Sequence, residues 1–190
     1  MSASVTSSHP LERGFALDRS DAELVTAACQ GDLSSFGRLY ERHYRMAVGI
    51  ARGRLADRHL AEDAAQEAFA IACRTLRTLR DRDRFPEWLG TICRRTASRL
   101  DADRPAHEPL PEDRERAGDS ERRALRDQVQ DALGLLDENS REIVVLHYFS
   151  GLSYDEISRA LGLSVASIHG RLQRARGKLA KALDSSGAKT

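Results

Sequence analysis

Cysteine is sparse in this 190-residue chain, with only Cys29, Cys73 and Cys93. They are odd in number, widely spaced, and include no CxxC and no His at ligand spacing, which argues against a disulfide framework or a zinc site. The expected state is three buried thiols in a reducing cytosol. Cys93 lies beside a basic stretch and is a redox-sensor candidate by position alone. Aromatics make up only 5% of the chain, and the formal net charge is +1 although 31% of residues are charged. Any nucleic-acid affinity must therefore come from local patches rather than a global field. The N-terminus lacks the apolar core of a signal peptide, and no run reaches the length of a membrane span, so membrane insertion is not expected and the expected compartment is the cytoplasm. Metal-ligand clusters, a phosphate-binding glycine loop and a nucleophile with a paired base are all missing. No catalytic residue, metal or cofactor is expected, and the chain does not read as an enzyme.

What is present is helical periodicity, and its most informative instance runs from Ser153 to Leu179. Ser153 and Glu156 stand at capping-box spacing, where hydroxyl and carboxylate satisfy each other's free backbone N–H groups. Ile157, Ala160 and Leu161 give the first helix a core face. Gly162 suits a left-handed helix end, Leu163 plugs the turn and Ser164 can cap the next helix. Val165, Ile168, Leu172, Ala175 and Leu179 then recur at steps of three and four, the stripe of a helix against a core. The opposite face carries His169, Arg171, Arg174, Arg176 and Lys178. Two short helices, a tight turn and a basic second helix form the unit that enters a DNA major groove. A plain packing hairpin is the competing reading. The local excess of positive charge, with only Asp184 opposing it after Val165, favours phosphate contacts.

Upstream, residues 1–20 read as a disordered leader. Asp21 is expected to cap a short helix ended by Gly31. A longer one follows from Leu33 to about Leu55, with Phe36, Leu39, Tyr40, Met46, Ala47 and Ile50 inward. A third, from Asp57 to Leu79, buries Leu60, Ala64, Ala65, Ala68, Phe69 and Leu76 and turns Asp63, Gln66 and Glu67 outward. On spacing alone these three are a solvated face. The Arg-rich loop from Arg77 to Phe85 leads into a helix opened by Pro86, with Trp88, Leu89, Ile92 and Leu100 inward and Arg94, Arg95 and Arg99 outward. That basic face is either a second nucleic-acid surface or a salt-bridged one. Residues 105–120 turn to Pro and charge without an apolar stripe, the mark of a flexible linker. The expected fold is all-α: two small helical domains, 21–104 and 121–184, joined by that linker, the second containing the helix-turn-helix, with a tail at 185–190. In the second domain Leu125, Val129, Ala132, Leu133 and Leu136 face inward on one helix, and Ile143, Val144, Leu146 and Tyr148 or Phe149 on the next.

Three segments together, AEDAAQEAF at Ala61–Phe69, FPEWLGTICRRTASRL at Phe85–Leu100, and Leu136–Leu179 with its helix-turn-helix, make the chain resemble the extracytoplasmic-function sigma factors of bacterial RNA polymerase. The resemblance runs from about Asp21 to Leu183. It implies that Asp63, Gln66 and Glu67 dock on a coiled coil of the polymerase beta-prime subunit. It implies that Arg80, Arg82, Arg84 and Phe85 meet the minus-10 element around a flipped base, with Arg94, Arg95 and Arg99 on melted strand or upstream duplex. For the minus-35 element it implies His169, Gly170, Gln173 and Arg174 at bases and Arg171 and Arg176 at phosphates. Arg174 is the first choice for a guanine, a contact that discriminates by roughly 1–3 kcal/mol. The second domain would also sit on the flap of the beta subunit, and an anti-sigma factor is an expected partner by the same resemblance. Two positions depart from the usual pattern: His169–Gly170 stand where a basic residue and Ser or Thr are usual, and Arg95 where Asn is common. The DNA preference is therefore open. A helix-turn-helix regulator acting without polymerase and a decoy that starts no transcription are the alternatives.

Overall fold

The computed structural model describes residues 19–103 and 120–187. The leader expectation apart from residues 19–20 and the linker expectation apart from Ser120, which begins a helix instead, lie outside them. The described residues form eight α-helices and no strand: α1 Asp21–Cys29, α2 Leu33–Arg52, α3 Arg58–Thr75 and α4 Phe85–Ala102, then α5 Ser120–Gly134, α6 Glu138–Val144, α7 Tyr154–Leu161 and α8 Val165–Gly187. Helix α8 thus continues three residues into the stretch expected to be a tail. Short 3₁₀ turns at Leu76–Thr78 and Arg82–Arg84 lie between α3 and α4.

Local chemistry places the helix starts. The N-cap of α1 is Ser20 rather than the expected Asp21: its Oγ accepts from Glu23 N–H (3.2 Å) while Glu23 accepts from Ser20 N–H (2.7 Å). The reciprocal bonds outcompete a lone carboxylate. Asp21 instead reaches α2, where it accepts from Arg42 (2.6 Å) and meets His43 (2.8 Å). Burial alone would raise the Asp21 carboxyl, but His43 and Arg42 outweigh it and hold it below its ordinary value. Asp32 caps α2 and Asp57 caps α3.

The helix-turn-helix is built as its sequence indicates. Ser153 and Glu156 close a capping box, and Gly162 takes a left-handed φ of 65° that a side chain would strain. Ser164 accepts from Ser167 N–H at 3.2 Å to start α8. Ser153→Ala removes one of these bonds and is expected to lower the unfolding free energy by about 1 kcal/mol. Urea titration followed by circular dichroism measures it; an unchanged midpoint would mean that packing alone holds α7.

Packing departs from expectation in two ways. After α6 the chain widens into a π turn, Val145–Phe149, closed by Ser150 N–H on the Val145 carbonyl. That turn shifts the phase of the side chains after it, so Tyr148 and Phe149 are half exposed (50% each) instead of core. Leu125 and Val165 are also exposed. The larger departure concerns the two halves. Phe69, Phe85 and Leu89 from α3 and α4 join Leu146, Ile157 and Ile168 in one continuous hydrophobic cluster. Helix α4 packs on α7, and α2 on the turn that follows α6.

Candidate nucleic-acid interface

Helix α3 holds its alanine stripe (Ala61, Ala64, Ala65, Ala68, Ala72) fully buried, which fixes the rotation of its outer face. Asp63 and Gln66 are exposed there, and Glu67 is half exposed. Both carboxylate oxygens of Glu67 accept from Arg99 on α4 at 2.6 Å. A residue expected to meet polymerase and one expected to meet DNA are thus neighbours. Such an exposed pair is easily exchanged for another partner.

The Arg-rich loop presents Arg80, Arg82 and Arg84 to solvent. Arg82 donates to Thr26 Oγ1 at 2.7 Å and Arg84 grips Glu87 at 2.6 Å, contacts that hold the loop against α1 and the start of α4. Phe85 does not share their exposure. It is 0% exposed, its ring set against His43 and Trp88 with centroids 5.4 and 6.1 Å away. The expectation that Phe85 contacts DNA is corrected on this point: in this structure it is a core side chain that supports the loop from beneath.

On α4, Arg95 and Arg99 are exposed, but Arg94 turns to the other half of the molecule. There Glu142 of α6 is 2% exposed and accepts from Arg94 Nη1 (3.1 Å) and Arg54 Nη1 (2.9 Å), one at each carboxylate oxygen. Arg45 donates nearby to the Ser150 carbonyl. Sequence reasoning missed Arg45, Arg54 and Glu142. Its one available signal was the register of Glu142, which lies at i−3 and i−4 to the buried Val145 and Leu146, a charge on the apolar face.

Helix α8 buries Ile168, Leu172 and Ala175, leaving His169, Gln173, Arg174 and Arg176 exposed and Gly170 and Arg171 half exposed. An aromatic rank backs this face: Tyr148 accepts a hydrogen bond from Arg176 Nε and stacks beneath its guanidinium, while Tyr154 sits edge-on to His169. A methyl at Gly170 would meet only the Arg174 guanidinium, at 3.5 Å, so packing does not demand the glycine. Among the described residues no group of His, Cys, Asp and Glu could hold a metal ion, and no helix is long and apolar enough to cross a membrane.

Two helical halves, one carrying a polar helix face and an Arg-rich loop, the other a helix-turn-helix with a basic outer helix, define a transcription factor of the sigma class. Residues 39–102 match Sigma-70 region 2 and residues 126–179 match Sigma-70, region 4. The RNA polymerase sigma factor NccH of Alcaligenes xylosoxydans xylosoxydans is 32% identical over 183 residues, covering 87% of this chain and 96% of that protein. The ECF RNA polymerase sigma factor SigM of Mycobacterium tuberculosis is 32% identical over 170 residues, covering 87% and 86%. Among solved structures, that of CnrH in complex with the cytosolic domain of CnrY is similar at a TM-score of 0.63 and 32% identity, covering 88% of this chain and 99% of that one. The chain belongs to the extracytoplasmic-function branch of the RNA polymerase sigma factors.

Proposed function

We propose that the chain binds core polymerase through the outer face of α3 and directs it to a two-part promoter. It would act there as a non-catalytic subunit, in the cytoplasm where the polymerase works. The observation that supports this most is the exposure of Asp63, Gln66 and Glu67 on a helix whose inner face is wholly packed. Glu67 is held by Arg99 of α4, while Asp63 and Gln66 project into solvent beside it. Residues 21–104 would form the polymerase-binding and minus-10 unit, with Arg80, Arg82, Arg84, Arg95 and Arg99 facing melted DNA. Phe85 would brace the loop from below. Residues 121–184 would form the minus-35 unit, in which Gln173 and Arg174 read bases and Arg171 and Arg176 hold phosphates. The same unit would lie on the beta flap. CnrH, at 32% identity, is found in complex with the cytosolic domain of CnrY, which supports a regulatory protein as a further partner of this chain, in line with the anti-sigma factor that the family resemblance implies.

Run-off transcription with bacterial core polymerase on sheared genomic DNA tests the reading. The wild-type chain is expected to yield discrete new transcripts, and Asp63→Arg to reduce them at least tenfold by placing a cation where the partner coiled coil expects an anion. That corresponds to about 1.4 kcal/mol or more of lost binding. Transcripts unaffected by Asp63→Arg would overturn the assignment of α3. A chain that shifts duplex DNA while ignoring core polymerase would instead be an ordinary helix-turn-helix regulator.

A further inference from the structure

Tyr148 owes its exposure to the π turn. In a continued α-helix it would follow Val144 by four residues and share the face on which Val144 is buried. The turn closes instead from Ser150 N–H to the Val145 carbonyl, and it carries Tyr148 outward to half exposure. A single π turn in a helical stretch is uncommon and frequently marks a functional position. The ring that it turns out is held in place. His147 Nδ1, facing a carbonyl that can only accept, donates to Leu152 at 3.0 Å. The His147 ring in turn meets Tyr148 edge-on, with centroids 4.8 Å apart. Tyr148 then carries the Arg176 guanidinium, whose Cζ lies 5.5 Å from the ring centroid and whose Nε donates to the Tyr148 hydroxyl.

Arg176 spends only Nε on this contact, so the N–H groups of Nη1 and Nη2 stay available for a fork on an oxygen anion. Its place on α8 suits a phosphate better than a base. At about 100° per residue, Arg174 points almost directly away from the buried stripe of Ile168, Leu172 and Ala175, whereas Arg176 lies at the edge of that stripe. A helix seated in a major groove turns its centre to the bases and its edges to the backbone. An arginine at the edge gives up rotamer freedom when it meets a phosphate, and one that is already held gives up less. Arg171, on the opposite edge, has no comparable support among the described residues. We infer that Tyr148 is a positioning residue for DNA: through its ring and its hydroxyl it holds the Arg176 guanidinium in the orientation that grips a backbone phosphate beside the minus-35 bases. The phosphate role of Arg176 belongs to the proposed function, and the assignment of Tyr148 rests on it.

A phosphate contact is independent of sequence, so fluorescence anisotropy of the full chain on a labelled mixed-sequence duplex of about 30 base pairs, at 50 to 200 mM salt, tests the inference. Circular dichroism checks that each variant is folded. Arg176→Gln is expected to weaken binding about fivefold and to flatten the slope of log K against log salt by ~0.9. Tyr148→Ala should weaken binding about threefold, ~0.7 kcal/mol, and Tyr148→Phe, which keeps the ring and loses the hydroxyl, should weaken it less. The pairing of variants decides the matter. In the Arg176→Gln chain, Tyr148→Ala should cost nothing further, while in the Arg171→Gln chain its cost should add in full. A tyrosine that merely supports the fold would add its cost in both backgrounds and overturn the inference, as would Tyr148 variants that bind like wild type while Arg176→Gln binds weakly. Binding unmoved by Arg176→Gln, or a wild type that binds no duplex, would overturn the phosphate reading of α8 and the role of Tyr148 with it. Run-off transcription with Asp63→Arg reports on the sigma assignment separately, so the two readings can fail independently.

Discussion

Phe85→Ala is expected to lower the unfolding free energy by about 3–5 kcal/mol, the range for emptying a phenylalanine site in a packed core. The ring is fully buried, begins α4 immediately before Pro86, and touches His43 on α2 and Trp88 on its own helix. Its loss would open a void where α2 and α4 meet, beneath the Arg-rich loop. A ring that instead received a flipped base would be exposed, and its truncation would leave stability within about 0.5 kcal/mol while weakening promoter binding. Arg80→Ala, on the exposed part of the loop, supplies the contrast: little change in stability and a loss of open complexes. Denaturant titration of the two variants separates the roles. Equal stability of Phe85→Ala and wild type would return Phe85 to the DNA surface.

The elements legible in the sequence were those decided within one or two turns of chain. Ser153 and Glu156 form the capping box their spacing implies, and Gly162 makes the left-handed turn. At α1 two capping residues stood side by side; the capping box with Glu23 favours Ser20, and Asp21 turns instead to Arg42 and His43, some twenty residues away. No local rule contains that contact. Tyr148 and Phe149 were misplaced because a period of 3.6 was carried through a π turn that lacks it. The exposed arginines of the loop and the basic face of α8 were legible because a cation at an outward helical position needs no tertiary knowledge. Phe85 and Arg94 were not legible, since an aromatic at a loop-helix junction turns inward or outward according to what lies beneath, and Arg94 faces the partner that the packing of the halves supplies. A polar linker divided the chain into two helical domains and said nothing of how they pack, while Glu142 on an apolar face was the one mark that they share a boundary.

Cys93 carries the second large effect, and it bears on alkaline stability rather than redox sensing. The thiol is fully buried on α4. Burial pushes its pKa from an ordinary 9.0 up to about 12, with Arg94 pulling it down and Glu142 pushing it further up. Below pH 9.0 the thiol is neutral in both folded and unfolded chains, so its contribution to stability is fully present there. Between pH 9 and 12 the unfolded chain releases the proton and the folded chain retains it. Stability is therefore expected to fall by about 1.4 kcal/mol per pH unit, ~4 kcal/mol across the window. Lysine and tyrosine titrate in the same range, so the measurement is a difference: unfolding free energies of wild type and Cys93→Ala at several pH values from 8 to 11. The alanine variant begins about 1 kcal/mol less stable, because a small cavity replaces the sulfur, and its deficit should shrink and then reverse as pH rises. Parallel curves would place the thiolate in solvent and restore Cys93 as a sensor. A neutral thiol at physiological pH is a poor nucleophile, so alkylation of the native chain at pH 8 should modify the exposed Cys73 and spare Cys93 until the chain unfolds.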